Sequence, residues 1–257
     1  MATAYLLSTF DLVDVGDVDI VRQAAEESDR VEARVLSDEA VREITGIAPV
    51  VPAEERLEII SSVREVADAR IFDPSDALKR SPRDLVFARA GVGVAHAAVD
   101  RLLMPRQLRL DEWIHTTPTA QGVLGYVPGA WDRFHIGHLN ILKRARALCD
   151  RLVVGVVTDE ELFAAKGKMP MVPLEERVRV VAAMDIVDAV VVDFSTSKLD
   201  VWDRVHFDVL FKGDDWKGTT KGDRLEKEMA SVGASVQYFP YTAHTSSTAL
   251  RQILAQR

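Results

Sequence analysis

The apolar positions fall in short blocks that switch between two spacings. In the second half of the chain, residues 124–127 are a short apolar strand and 129–134 a turn. From 136 to 149 the spacing turns helical, with Leu139, Leu142 and Ala145 on one face. Residues 151–157, RLVVGVV, are a continuous apolar run, as expected of a strand in a parallel sheet covered on both faces. Residues 174–184 read as a helix opened by Pro173 and the acidic pair Glu175-Glu176, charges that suit the positive end of a helix. Residues 189–192, 209–211 and 236–239 supply further strands. Strands alternating with helices imply right-handed crossovers and a doubly wound parallel sheet. Ligands in such sheets lie at the carboxyl ends of the strands, where the strand order reverses, so chemistry is expected in the loops that follow strands.

The same pattern is written twice. Residues 5–66 align on 126–187 at a constant shift of 121 without a gap, and about eighteen of some sixty pairs are identical. RVEARVLSDE lies over RLVVGVVTDE, and GIAPVVPAEER over GKMPMVPLEER. With about three residues of slippage, RDLVFARAG (83–91) then lies over FDVLFKGDD (207–215). Such a long period excludes a solenoid and implies two domains of one ancestry. The expected fold is α/β, with two tandem Rossmann-like domains at 1–114 and 123–257, each a doubly wound parallel sheet. Between them, 94–103 looks helical up to Met104-Pro105, and the polar run HTTPTAQG (115–122) reads as a linker.

Composition narrows the function. The chain has 257 residues, 47% of them hydrophobic, so each half is long enough to bury its own core. A net charge of −8 argues against a nucleic-acid surface, which needs a basic face. An acidic chain can still hold anions through local lysines and free backbone N–H groups. The single cysteine, Cys149, has no partner for an intramolecular disulfide, which fits a reducing cytoplasm. It reads as a packed or half-exposed helix residue rather than a nucleophile. The first residues lack the basic start and apolar core of a signal peptide. No apolar run approaches the roughly 20 residues that cross a bilayer, so no membrane insertion is expected.

Four groups of residues in the second copy could carry chemistry. His135 and His138, in HIGH, stand after the first strand at the start of a helix, one turn apart on one face. With the unpaired N–H groups of a helix start they suit a polyphosphate. No third ligand stands at zinc spacing. Lys166 and Lys168 flank Gly167 in what reads as the loop after the second strand. They could close over phosphates or be a solvated charged loop. KGDDW (212–216) follows a strand directly. Its aspartates could bond a ribose or an amine, hold a metal, or only make a turn. Thr245, Ser246, Ser247 and Thr248 precede a C-terminal helix and could meet phosphate oxygens or serve as a plain N-cap.

The order of these groups resembles the cytidylyltransferase-like nucleotidyltransferases, and within them glycerol-3-phosphate cytidylyltransferase. The family's Gly-Thr-Phe-Asp turn before HxGH matches Gly129, Ala130, Trp131 and Asp132. Its Lys-x-Lys pair matches Lys166 and Lys168, its Gly-Asp-Asp-Trp matches Gly213, Asp214, Asp215 and Trp216, and its last signature matches residues 241–248. Ala130 stands where the family has Thr, and Tyr241 where it has Arg. The resemblance implies that CMP passes from CTP to a small polyol phosphate, glycerol 3-phosphate first, giving CDP-glycerol and pyrophosphate. It implies that His135 and His138 stabilise the α-phosphate, Lys166 holds the acceptor phosphate and Lys168 the nucleotide. Ala130, Trp131, Asp132, Asp214, Asp215 and Tyr241 would line the nucleotide, Trp216 the acceptor, and Thr245, Ser246, Ser247 and Thr248 the β- and γ-phosphates. Mg²⁺ would accompany the triphosphate. Two other readings stand beside this one: an adenylyltransferase for a sugar phosphate of the heptose 1-phosphate type, and a non-catalytic nucleotide-binding regulator.

The first copy has lost this chemistry. Asp14 and Asp17 stand where His135 and His138 do, Thr45 and Ile47 replace the lysines, and Ala88-Arg89-Ala90 replaces Lys212-Gly213-Asp214. Two carboxylates at a helix start would repel a triphosphate, although they could hold a metal. Asp11, Gly16, Pro52, Glu54, Glu55 and Arg56 persist as scaffold. The family is typically dimeric, so the resemblance implies an intramolecular pseudo-dimer of the two copies, with a further homo-oligomer open.

Overall fold

The computed structural model describes residues 2–76, 78–91, 99–106, 121–240, 250 and 253–254. The chain divides into two compact units, Met1–Leu108 with Thr248–Arg257, and Arg109–Ser247. The first carries β1 (Thr3–Ser8), α1 (Val15–Glu26), β2 (Arg30–Leu36), α2 (Asp38–Thr45), α3 (Ala53–Ile60), β3 (Val66–Phe72), β4 (Leu85–Arg89) and β5 (Arg101–Leu103). The second carries β6 (Leu124–Gly129), α4 (Ile136–Arg146), β7 (Arg151–Val157), α5 (Asp159–Lys166), α6 (Leu174–Ala182), β8 (Ala189–Asp193), α7 (Lys198–Val205), β9 (Val209–Gly213), α8 (Thr220–Ser231) and β10 (Ser235–Phe239). Both sheets are parallel throughout. Their orders are β3-β2-β1-β4-β5 and β10-β9-β6-β7-β8, the same order once the repeat is taken into account. The order reverses between β1 and β4, and between β6 and β9. Among the described residues no helix is long and apolar enough to cross a membrane.

The repeat carries over atom by atom where it holds the fold. Asp132 accepts from the backbone N–H groups of Met171 and Val172, at 2.9 and 3.0 Å. Asp11 accepts from Val50 and Val51 at 2.8 and 2.9 Å. The turn after the first strand has positive φ at Phe10 and Leu12 in one copy and at Trp131 and Arg133 in the other. Non-glycine residues adopt that conformation rarely, so its survival in both copies marks a turn that aims the next helix.

The copies diverge on one face of the sheet. In the second unit Leu124, Tyr126, Val153 and Leu210 lie beneath α7 and α8. Between β3 and β4 of the first unit the described residues form no helix. The corresponding strand positions turn charged: Glu32 for Val153, Arg34 for Gly155, Asp68 for Ala189 and Arg70 for Val191. These charges pair along the strands, Arg34 with Glu32 at 2.5 Å and Arg70 with Asp68 at 3.0 Å.

Three expectations are corrected. Arg101–Leu103 is not the end of a helix but the edge strand β5, beside β4; three residues are too few to show an alternation. Residues 94–98 and 115–120 of the expected helix and linker lie outside the described residues. Lys166 is not in a loop: it ends α5, and Gly167, with φ 65°, caps that helix in the left-handed conformation that glycine adopts at least cost. Cys149 lies past the end of α4, half-buried, with its thiol on the carbonyl of Ala145.

Candidate functional site

At the start of α4 the side chain of His135 is the helix cap. Its Nδ1 accepts the N–H of Gly137 at 3.1 Å, which leaves the proton of the neutral ring on Nε2. Asp14 caps α1 in the same way through Gly16 and Asp17. The cap position has thus been kept and its chemistry changed. His138 stacks on His135 with ring centroids 3.8 Å apart, and its edge meets Trp131 at 5.2 Å. Its Nδ1 is enclosed, without a hydrogen-bond partner among the described residues. Burial lowers the pKa of His135 to about 4. Burial, with His135 and Lys166 adding to it, holds His138 well below the ordinary imidazole value. At neutral pH both rings are therefore hydrogen-bonding groups without charge.

This has a consequence for stability. The unfolded chain takes up a proton on His135 near the ordinary pKa of about 6.5, the folded chain only near 4. The contribution of this group is intact above pH 6.5 and is lost as pH falls toward 4. Between pH 7.5 and 5 the loss should be about 2 kcal/mol. His135→Asn keeps a cap acceptor and removes the titration. Urea unfolding at the two pH values should therefore show the wild type losing that much more than the variant; equal losses would contradict the buried neutral ring.

Beside the histidines a pocket of about 570 Å³ opens at the carboxyl ends of β6, β7 and β9, walled by α5 and α8. Of the residues singled out from the sequence, Ala130, Lys166, Asp215 and Trp216 line it. Trp131 and Asp132 are buried in the scaffold. The indole of Trp131 donates to the carbonyl of Gly155 at 2.8 Å, so the two residues shape the turn from behind. Lys168 and Asp214 are exposed at the surface. Tyr241, Thr245, Ser246, Ser247 and Thr248 lie outside the described residues.

Four side chains to which the sequence reading gives no role stand in the pocket or beneath it. Lys212, near the end of β9, holds its ammonium 4.0 Å from the ring centroid of Trp216. Burial and the charge of Lys198 lower its pKa to about 8. Lys198, at the start of α7, pairs with the fully buried Asp193 at 2.6 Å. The same Asp193 oxygen accepts the hydroxyl of Tyr126 at 2.9 Å. Gly155 makes room for that bond, since a Cβ there would lie 1.9 Å from the Tyr126 hydroxyl. The first copy has Phe72 for Asp193, Ala88 for Lys212 and Arg34 for Gly155. The signal was available in the chain's comparison with itself.

The first copy's equivalent site is filled from within. Arg89, at the position of Gly213, reaches Asp14 at 2.8 Å and Asp17 at 3.1 Å. Its guanidinium lies against the first turn of α1, where a Cβ on Gly16 would come within 2.5 Å of it. Asp17 is buried, and burial with the charge of Asp14 raises its pKa to about 6 against the pull of Arg89. Among the described residues no group of three or more side chains could hold a metal ion, here or in the second copy.

The profile of the cytidylyltransferase-like family matches residues 5–117 and 126–253, one segment for each copy. The chain is 43% identical over 95 residues to the ethanolamine-phosphate cytidylyltransferase of Arabidopsis thaliana, a match covering 35% of this chain and 22% of that one. It is 37% identical over 123 residues to the bifunctional protein HldE of Koribacter versatilis, covering 48% and 25%. The matches thus span about a quarter of the length of these relatives. Among solved structures, the lipopolysaccharide core biosynthesis protein of Thermoplasma volcanium aligns with a TM-score of 0.43 at 22% identity, over 49% of this chain and 100% of that one. A profile matched twice, on two parallel sheets of one strand order, assigns both halves together: the chain belongs to the cytidylyltransferase-like family.

Proposed function

We propose that the second unit transfers CMP from CTP to a small phosphorylated alcohol, glycerol 3-phosphate, and releases pyrophosphate. One observation carries the reading: a stacked pair of neutral histidines at a helix start, opening beside a lysine-lined pocket, in the copy that has kept both. A phosphate oxygen of the acceptor attacks the α-phosphorus, a new P–O bond forms, and the bond to the β-phosphate oxygen breaks as pyrophosphate leaves. Such a reaction asks the protein chiefly for positioning and for charge stabilisation. His135 Nε2–H can donate to the α-phosphate, where negative charge shifts toward the leaving group. His138, stacked on it with ring centroids 3.8 Å apart, offers the second imidazole N–H to the same phosphate. Lys166 serves the acceptor phosphate and Lys168 the nucleotide. Mg²⁺ would enter with the triphosphate and would offset part of its charge.

The test is pyrophosphate release by the whole chain with Mg²⁺, each nucleoside triphosphate, and glycerol 3-phosphate, phosphoethanolamine or heptose 1-phosphate. Phosphoethanolamine is included because a relative carries that acceptor in its name. The expected result is the highest kcat/KM with CTP and glycerol 3-phosphate. A tenfold preference for ATP with the sugar phosphate replaces this reading by adenylyl transfer. Nucleotide binding without pyrophosphate release replaces it by a regulator.

A further inference from the structure

The pocket at the carboxyl ends of β6, β7 and β9 has carboxylates in its wall as well as cations: Glu161 on α5, Asp215 after β9 and Glu228 on α8. Carboxylates repel phosphates, so a site that held phosphates alone would gain by excluding them. Two of the three answer a neighbouring cation. Glu228 pairs with Arg224 of its own helix at 2.7 Å. Asp215 is exposed, and close enough to Lys212 for its charge to act there. Glu161 differs: its Oε2 is enclosed by the fold and has no hydrogen-bond partner among the described residues. We propose that Glu161 is a specificity-determining residue, which accepts a hydrogen bond from a hydroxyl group of a polyol acceptor. This deepens the proposed transfer reaction and rests on it for the acceptor's phosphate.

Three further observations lead there. The first is position. Glu161 lies in the first turn of α5, and Leu162, Ala165 and Lys166 continue the same wall of the pocket. That spacing is one face of a helix. Lys166, which serves the acceptor phosphate in the proposed transfer, stands five residues on, about 7.5 Å along the helix axis. A three-carbon phosphate ester held at Lys166 can therefore bring its other end to Glu161. The second is the first copy. The shift of 121 puts Ala40 at this position, 2% exposed, in a core cluster with Leu7, Leu36, Val86 and Ala88. Those four correspond to Pro128, Val157, Leu210 and Lys212, all of which line the pocket. The position thus faces the same place in both copies. Where the chemistry has gone, an apolar cluster fills that place and the carboxylate has become a methyl group. An enclosed carboxylate oxygen without a donor is costly, and the copy with no ligand does not keep it.

The third is the sign of what such a group can hold. An ionised carboxylate only accepts hydrogen bonds, so its ligand must donate, as a hydroxyl or an ammonium does. With the pairs Lys198–Asp193 and Arg224–Glu228 set aside, the wall carries Lys166, Lys212 and Lys221 against Glu161 and Asp215. An ammonium on the acceptor would meet those lysines at close quarters, and a hydroxyl meets them without repulsion. No bond forms or breaks at Glu161; it selects which monoester is held when the phosphate oxygen attacks.

The experiment uses the full-length chain. Wild type, Glu161→Ala and Glu161→Gln are compared in kcat/KM, with CTP and Mg²⁺, on glycerol 3-phosphate, propyl phosphate and phosphoethanolamine. Propyl phosphate keeps the phosphate and the three carbons and has no hydroxyl. Wild type should prefer glycerol 3-phosphate to propyl phosphate by about tenfold or more, as expected of a hydrogen bond to a charged group. In Glu161→Ala that preference should fall below about threefold, while the KM of CTP changes less than about twofold. Glu161→Gln keeps an oxygen acceptor and should fall between the two. Glu161→Ala should melt within about 2 °C of wild type, because the enclosed oxygen it removes makes no hydrogen bond in the fold. A wild type without the preference, a preference that survives Glu161→Ala, or a loss shared equally by all three acceptors overturns the proposal. So does a wild-type preference for phosphoethanolamine that Glu161→Ala removes, since the residue then pairs with an ammonium. If no transfer is detected with any nucleotide, calorimetric titration of glycerol 3-phosphate and propyl phosphate into wild type and Glu161→Ala decides. Discrimination that disappears in the variant upholds the role of Glu161 while the transfer reaction fails; no discrimination overturns both.

Discussion

Replacing His138 with alanine is expected to lower kcat by about 10² to 10³, with the protein still folded. The ring sits between His135, Trp131 and Phe134, at centroid distances of 3.8, 5.2 and 5.7 Å. Its Nδ1 has no partner among the described residues, so truncation breaks no hydrogen bond known to hold the fold. What it removes is an imidazole that burial keeps neutral and that keeps one ring N–H to donate to a phosphate. A contact that strengthens as charge moves in the transition state acts on kcat more than on KM. His135→Ala should behave differently. It loses the helix cap to Gly137 as well, and so adds a stability loss of about 1 kcal/mol to a similar fall in kcat. The check is steady-state turnover at saturating CTP and acceptor beside a circular dichroism melt. Near-wild-type turnover in a folded His138→Ala protein removes the histidine pair from the reaction.

What the sequence told, and what it hid, follows from how each element is buried. The strand RLVVGVV is buried over five consecutive positions, and its continuous apolar run says so directly. The repeat shift of 121 places β1 on β6, β2 on β7 and α2 on α5 residue for residue, and the later shift of 124 places β4 on β9. By contrast α5 buries only Leu162, and α8 buries only Gly222, Leu225 and Met229. Helices with one thin apolar edge leave little periodicity to read, so Lys166 reads as loop from the sequence. In the site, HIGH was legible because two histidines at one spacing are rare. Lys198, Lys212, Asp193 and Tyr126 are ordinary residues scattered over 87 positions, from 126 to 212. Only the strand order, which sets β9 and β7 on either side of β6, draws them together. The role of Arg89 was hidden for the same reason. As one arginine after a strand it says nothing, until it is seen lying between Asp14 and Asp17.

The largest stability effect is expected at Arg177, a residue with no part in the chemistry. Its guanidinium is fully buried. Nε donates to the carbonyl of Val172 at 2.9 Å, and one terminal nitrogen donates to Val157 at 2.9 Å and also to Ala130. The other terminal nitrogen pairs with Asp159. Two loops, the end of β7 and the start of α5 are thus tied to one planar group, a geometry that the single ammonium of lysine cannot reproduce. Arg177→Ala leaves three carbonyls and a carboxylate without these donors, and should cost about 3–5 kcal/mol. Arg177→Lys should recover less than half of that. Arg56 makes three of the four bonds in the first copy, to Val51, Thr9 and Asp38, so Arg56→Ala should destabilise its own unit by a similar or slightly smaller amount. Urea unfolding with a probe in each unit measures both; a loss below about 1 kcal/mol at either site would mean that water reaches the freed carbonyls. The functional consequence differs between the two. The carbonyl of Ala130 lies in the turn that delivers His135 to the start of α4, and Val172 neighbours the Met171 amide that Asp132 holds. Loosening them moves the cap histidine relative to the pocket. Even at a temperature where the variant remains folded, Arg177→Ala should therefore lower kcat by about tenfold or more, since catalysis by positioning is lost over displacements of about 1 Å.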